Sequence, residues 1–362
     1  MDTSIQEFTN FRIEVMDMDI PGDRKIIEEF TGMYELPFDF RTVEYTIALF
    51  NEQDKIVGTG SFSGNILKYV LVDLAYRESN AFAQITTHLI NKVLENHRHI
   101  FVYTLPRHIP LFEGLGFKVV AKAPPLFCML EFGVASIKDY VNYLKKIKSP
   151  EEHKRVASIV VNCNPFTKGH LYMIEKAAAE NDLLYLIVVQ EDLSVFPFNV
   201  RWRLIKEGIA HLKNVIMVEG GHYVVSGATF PCYFLKAAKS NLIIENQAEL
   251  DIQIFRKYII KTLGITHRYI GTEKSCETTA AYNRAMHKIL PENGVKVIES
   301  ERVKSGTGED AFYISASLVR EALKNDNMYL IYESLPDVTR EFLLSPEAKP
   351  IIEKIKESDK RH

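Results

Sequence analysis

At 362 residues the chain is longer than one hydrophobic core usually organises, so two domains are expected. Hydrophobic residues make up 46% and charged residues 25%, which excludes a disordered, collagen-like or coiled-coil chain. With 44 Lys+Arg against 47 Asp+Glu the formal charge is −3, so no global basic field draws in nucleic acid, and any phosphate must be held by a local site.

The opening MDTSIQEFTNFRIEV has no basic stretch before an apolar core, so no secretory signal is expected. Residues 1–135 read as strand, helix, three strands, helix, strand, helix and two strands. Residues 43–50 and 55–62 are β-rich runs around the turn NEQD, and 67–74 continues the meander. Residues 80–96 form a helix with Ile85, Leu89, Ile90 and Val93 on one face. A strand at 100–104, a short helix at 109–115 and strands at 118–122 and 126–132 complete this domain. Residues 136–154 read as a linker that opens helical and closes on Pro150 within a charge cluster.

From 155 to 345 the pattern alternates. Short β-rich runs at 157–161, 185–190, 215–218, 242–245, 267–271 and 295–298 are separated by amphipathic stretches such as 200–212. That order predicts right-handed βαβ units and a Rossmann-like parallel sheet, whose ligands bind at the carboxyl ends of the strands. Residues 346–362 are a charged tail expected to end loosely. The longest apolar runs, such as 183–189, are too short to span a bilayer, so a cytoplasmic protein with no membrane partner is expected. Cys128, Cys163, Cys232 and Cys276 include no C-x-x-C pair, so reduced thiols are expected rather than a zinc site or disulfides.

The loop after the first strand of the second domain reads Asn162-Cys163-Asn164-Pro165-Phe166-Thr167-Lys168-Gly169-His170. Gly169 lets the main chain approach a ligand, and the following helix offers unpaired N–H groups and a positive dipole end. His170 can donate an imidazole N–H to a phosphate oxygen. Thr167 and Asn164 add uncharged hydrogen bonds, and Lys168 a mobile charge. A lone histidine here would more often only satisfy its own helical turn; the whole nonapeptide after a strand points to a polyphosphate. Near the other end, Ile314-Ser315-Ala316-Ser317-Leu318-Val319-Arg320 opens a helix with two hydroxyls and places Arg320 one turn beyond Ser317, a second anion clamp.

NPFTKGH followed by ISASLVR resembles the nucleotidyltransferases with T/H-x-G-H and I-S-x-T-x-x-R signatures, over about residues 155–325. RWRLIKEGIAHLKNV resembles a helix and turn of their phosphopantetheine adenylyltransferase branch. The resemblance implies ATP with Mg²⁺, in-line attack on the α-phosphorus and pyrophosphate as leaving group. It implies catalytic roles for His170, Thr167 and Lys168. It implies ATP contacts from Asn162, Asn164, Pro165, Gly169, His170, Arg203, Gly271, Thr272, Glu273, Ser315, Ser317 and Arg320. No protein ligand to a metal is assigned, and Mg²⁺ is expected to be held mainly by the ATP phosphates. Two positions depart from the signatures: Thr167 stands for a histidine and Ser317 for a threonine. Gly271-Thr272-Glu273-Lys274, with Thr278, Tyr282 and Asn283, is expected beside the adenosine, and Lys168, Arg201, Arg203 and Lys304 are candidates to neutralise pyrophosphate or acetate.

The segments VVQEDLSVFPFNVRWRL, IGTEKSCETTAAYN and YISASLVREAL together resemble the citrate lyase ligases, whose members carry a GNAT acetyltransferase-like domain ahead of the nucleotidyltransferase domain. This implies that acetate attacks ATP to give acetyl-adenylate, and that the prosthetic thiol of the citrate lyase acyl carrier protein takes the acetyl group. Two rivals remain: an adenylyltransferase acting on a phosphorylated acceptor such as pantetheine phosphate, and an acyltransferase or carrier-binding module with a nucleotide-sensing domain. The first domain resembles the acetyltransferases in its strand and helix order and in LPRHIPLFEGLGFKVV. Its Arg77-Glu78-Ser79-Asn80-Ala81-Phe82 departs from their R/Q-x-x-G-x-G/A pyrophosphate loop, with a ring expected where main chain should meet phosphate, so a degenerate domain is expected, one that docks citrate lyase or binds the pantetheine-like arm of its carrier protein.

Overall fold

The computed structural model describes residues 10–190, 194–227, 241–273, 277–306 and 311–357; Lys274, Cys232 and Cys276 lie outside them. The chain divides into two units, Met1–Ser136 and Ile137–His362.

The first unit runs β1 (Arg12–Met16), α1 (Pro21–Gly32), β2 (Tyr45–Phe50), β3 (Ile56–Ser63), β4 (Ile66–Val72), α2 (Ala81–Leu94), β5 (His99–Thr104), α3 (Ile109–Glu113), β6 (Lys118–Ala123) and β7 (Phe127–Gly133). This is the order of strands and helices expected for an acetyltransferase-like α+β domain. The sheet order is β1-β2-β3-β4-β5-β7-β6, antiparallel except where β4 meets β5 in parallel. Helix α2 lays Ile85, Leu89, Ile90 and Val93 on the sheet, all buried. Gly58 and Gly60 of β3 permit that approach, because a Cβ at either would come within 2.6 Å of Ile85. Phe82 is a correction to the sequence expectation: its ring stands edge-on to Phe112 at 5.1 Å, turned into the core rather than across the preceding loop. Asn80 keeps an ordinary negative φ of −79°.

The second unit begins with α4 (Ile137–Ile147), the helical half of the segment expected as a linker; its Ile137, Tyr140 and Leu144 are buried. There follow β8 (Val156–Val161), α5 (Lys168–Glu180), β9 (Leu183–Val188), α6 (Phe198–Gly208), β10 (Val215–Glu219) and α7 (Asn241–Ile254), which continues through a π-helical turn, Phe255–Ile260, into α8 (Lys261–Leu263). Then come β11 (His267–Gly271), α9 (Glu277–Ile289), β12 (Lys296–Ser300), the two-residue strands β13 (Lys304–Ser305) and β14 (Phe312–Tyr313), and α10 (Ala316–Lys324). The chain closes with α11 (Met328–Ser334), α12 (Asp337–Leu344) and α13 (Lys349–Glu357). The sheet β10-β9-β8-β11-β12 is parallel throughout, with β8 central.

Two expectations are overturned. Residues 242–245, read as a sixth strand, belong to α7, because a short run such as LIIE inside a mostly buried helix carries no period of its own. Within the segment expected as a charged tail, Lys349–Glu357 form α13, whose Ile351 and Ile355 sit one turn apart and enter the core with Ile159, Leu186 and Phe342; 358–362, where a loose end was expected, lie outside the described residues.

Candidate active site

The carboxyl ends of β8, β11 and β12 surround a cavity of about 330 Å³. Asn162, Asn164, Thr167, Gly169 and His170 line it from the loop and helix after β8. Gly271, Thr272 and Glu273 line it from the end of β11, and Ser315, Ser317 and Arg320 from the start of α10.

Strand β8 is buried along most of its length, and its loop turns at Cys163, which adopts φ +51° with a buried side chain. Burial drives the Cys163 thiol far above its ordinary range, so it stays protonated and packs as a small apolar group. Asn164 accepts from the Phe196 N–H through Oδ1 at 3.0 Å. Its carbonyl accepts from the Arg320 guanidinium. Its Nδ2 is buried without a hydrogen-bond partner.

Thr167 caps α5, and its Oγ1 accepts from the His170 N–H at 3.4 Å. His170 returns the bond: its Nδ1 accepts the Thr167 main-chain N–H at 3.1 Å, closing a capping box. An imidazole nitrogen that accepts carries no proton, so the neutral ring holds its hydrogen on Nε2. Burial lowers the His170 pKa to about 4, keeping the ring neutral at physiological pH. The histidine therefore serves its own helix start through Nδ1 and keeps Nε2–H as a donor for a ligand. A Cβ on Gly169 would meet nothing nearer than 3.6 Å, so packing within the chain does not demand glycine there.

On the opposite wall Ser315 caps α10, its Oγ accepting from the Leu318 N–H at 3.1 Å. Arg320 donates to Ser317 Oγ at 3.3 Å as well as to Asn164. The two motifs thus meet as one arrangement of helix N-termini, hydroxyls, imidazole and guanidinium, suited to a polyphosphate.

Several expected residues are placed elsewhere. Pro165 is buried but does not border the cavity. Lys168 turns away and donates to the Tyr332 carbonyl at 3.4 Å. Arg203 pairs with Glu347 at 2.7 Å on the exposed side of α6, outside the cavity. Lys304 lies over the Tyr313 ring. Arg201 is fully buried, and its guanidinium binds the carbonyls of Phe196, Asn162 and Val189 at 2.7–3.0 Å. Through these three bonds it fixes the main chain around the site. A long cation inside RWRLIKEGIAHL looks the same in sequence whether it faces solvent, ligand or carbonyls.

Sequence reasoning missed Arg302 and Arg268, which also line the cavity. Arg302 donates to Glu273 at 2.5 Å and to the Thr272 carbonyl at 3.0 Å, holding the loop after β11. Arg268 stands inside HRYIG, and a charge within a strand buried on both faces was the available signal.

Comparison with known proteins bears on this geometry. The family profile described as "Citrate lyase ligase C-terminal domain" matches residues 156–343. The [citrate [pro-3S]-lyase] ligase of Haemophilus influenzae is 36% identical over 325 residues, covering 88% of this chain and 94% of that one. The enzyme of the same name from Escherichia coli K12 is 35% identical, covering 88% and 89%. Among solved structures, Thermotoga maritima TmcAL bound with alpha-thio ATP is 17% identical, with 52% of this chain and 55% of that one covered and a TM-score of 0.31. The ribosomal-protein-S18-alanine N-acetyltransferase of Escherichia coli is 11% identical, covering 35% and 96%, with a TM-score of 0.30.

Proposed function

The chain belongs to the citrate lyase ligase family, and on that premise we propose that it activates acetate with ATP and acetylates the prosthetic thiol on the acyl carrier protein of citrate lyase. The observation that carries this reading is the joining of NPFTKGH and ISASLVR, distant in sequence, around one cavity through the Arg320–Asn164 bond.

In the first step a carboxylate oxygen of acetate attacks the α-phosphorus. One O–P bond forms, the bond to pyrophosphate breaks, and no proton moves. His170 Nε2–H, the α5 and α10 N-termini and Arg320 hold the phosphate oxygens and meet charge as it builds there, which is positioning and electrostatic catalysis. In the second step the carrier thiol, as thiolate, attacks the acetyl carbon; a thioester forms and AMP leaves. Mg²⁺ is proposed to arrive on the triphosphate, where it neutralises phosphate charge. Among the described residues no three His, Cys, Asp or Glu side chains gather to hold an ion. The first unit is proposed to dock the carrier rather than to transfer acetyl groups from coenzyme A. No helix among the described residues is long and apolar enough to cross a membrane, and a cytoplasmic site of action is proposed.

ATP–pyrophosphate exchange tests the first step. Exchange should require acetate and should not be supported by pantetheine phosphate. Exchange without acetate, or only with a phosphorylated acceptor, would replace this reading with the adenylyltransferase one.

A further inference from the structure

Residues alternate faces along a strand, so Tyr269 and Arg268 of β11 point to opposite sides of the sheet. Tyr269 reaches the end of α5, donating to Glu180 at 2.6 Å. Arg268 is therefore on the face away from α5, where its guanidinium lies 5.0 Å from the Phe255 ring. It stands three residues below Gly271, roughly 10 Å beneath the strand edge. Arg268 lines the same cavity as the residues of the two motifs.

Arg268 is only 3% exposed, and its Nη1 has no hydrogen-bond partner. A guanidinium held in that state is costly, and buried arginines are ordinarily matched to carboxylates or carbonyls. The nearest acidic group, Asp251, is buried too. Its Oδ1 accepts from the Val225 N–H at 2.8 Å and its Oδ2 from the Tyr282 hydroxyl at 2.5 Å. Asp251 balances the charge of the region while leaving Nη1 unmet. Val160, Val225 and Met286 line the same cavity as Arg268 and offer it apolar contacts. A cationic donor beside apolar side chains suits a small monoanion with an alkyl end.

We propose that Arg268 and these side chains form the acetate subsite: Nη1–H donates to one carboxylate oxygen while the methyl group packs against Val160, Val225 and Met286. This rests on the acetate-activating reading of the cavity. The second carboxylate oxygen is left to attack the α-phosphorus held at the strand edge, so the arginine orients the nucleophile without quenching both oxygens. The short apolar end selects for two carbons, since added methylenes meet packed side chains.

The test is ATP–pyrophosphate exchange by the full chain over a range of acetate and ATP concentrations. Arg268→Gln should raise half-saturating acetate about ten- to a hundredfold while half-saturating ATP moves less than about twofold. Met286→Ala, which removes apolar volume and no charge, should raise the propionate-to-acetate ratio of kcat/KM at least about fivefold. Should Arg268→Gln fail to fold, the Met286→Ala selectivity decides alone. Unchanged acetate saturation in Arg268→Gln, equal rises for acetate and ATP, or unchanged selectivity in Met286→Ala would each overturn the subsite. If the unmodified protein exchanges without acetate, the underlying reading fails instead and takes the subsite with it.

Discussion

Arg320 donates to the main-chain carbonyl of Asn164, 156 positions earlier, and so fastens the start of α10 to the loop after β8. The same guanidinium reaches Ser317 Oγ at 3.3 Å and lines the cavity. One side chain thus joins the two motifs and lines the cavity between them.

Arg320→Ala should lower exchange about 10²- to 10³-fold, in line with loss of one preorganised donor at developing charge. Arg320→Lys should recover little, because a point charge cannot span two acceptors as the guanidinium fork does. Steady-state kinetics decides; a lysine variant within about threefold of the parent would show that charge alone is needed.

His170 links stability to pH. Its folded pKa of about 4 lies below the ordinary histidine value of 6.5, so the unfolded chain binds the proton more readily between those values. Its contribution to stability is complete above about pH 6.5 and is lost as pH falls towards 4, by at most about 3 kcal/mol. His170→Gln should flatten that part of the stability–pH curve, as urea denaturation at several pH values would record. An unchanged slope would place the responsible titration elsewhere.

Gly169 separates ligand approach from fold. With 3.6 Å of clearance for a Cβ, Gly169→Ala should shift Tm by less than about 2 °C. If bare main chain meets phosphate here, the same variant should raise half-saturating ATP about tenfold. Calorimetry and exchange kinetics together test both halves.

Arg201 and Arg203 are neighbours in sequence with opposite expected costs. Arg201→Ala strands three buried carbonyls and should destabilise by about 3–5 kcal/mol. Arg203→Ala removes one exposed ion pair and should cost less than about 1 kcal/mol. Denaturant midpoints compare them directly; equal losses would contradict the burial assigned to Arg201.

Gly208 is crowded in a way its helical position conceals. Glycine to alanine ordinarily favours a helix by up to about 1 kcal/mol. Here a Cβ would stand 2.5 Å from the Phe166 ring, which is fully buried beside the phosphate loop. Gly208→Ala should therefore destabilise, by about 1–3 kcal/mol, and a raised Tm would refute the contact.

The sequence by itself determined the two-part organisation, the alternating strands and helices of the second part, and the two motifs that line the cavity. Those features are local: hydrophobic period, a capped helix start and a glycine before a histidine are written in consecutive residues. It also placed a helix start at the Ser315 motif, because capping depends on neighbours three positions away. What tertiary structure decided was which charges face the ligand. Arg201, Arg203, Arg268, Arg302 and Arg320 are the same residue type, yet one binds carbonyls, one an exposed glutamate, one lies against an aromatic face, one holds a cavity-lining loop and one the opposite motif. Residues 242–245 show the same limit in the fold: four apolar-rich residues fit a strand or a buried helix equally, and only the packed surroundings chose α7. The side chain's partner lies far along the chain, and its energy depends on burial, which adjacent residues do not encode.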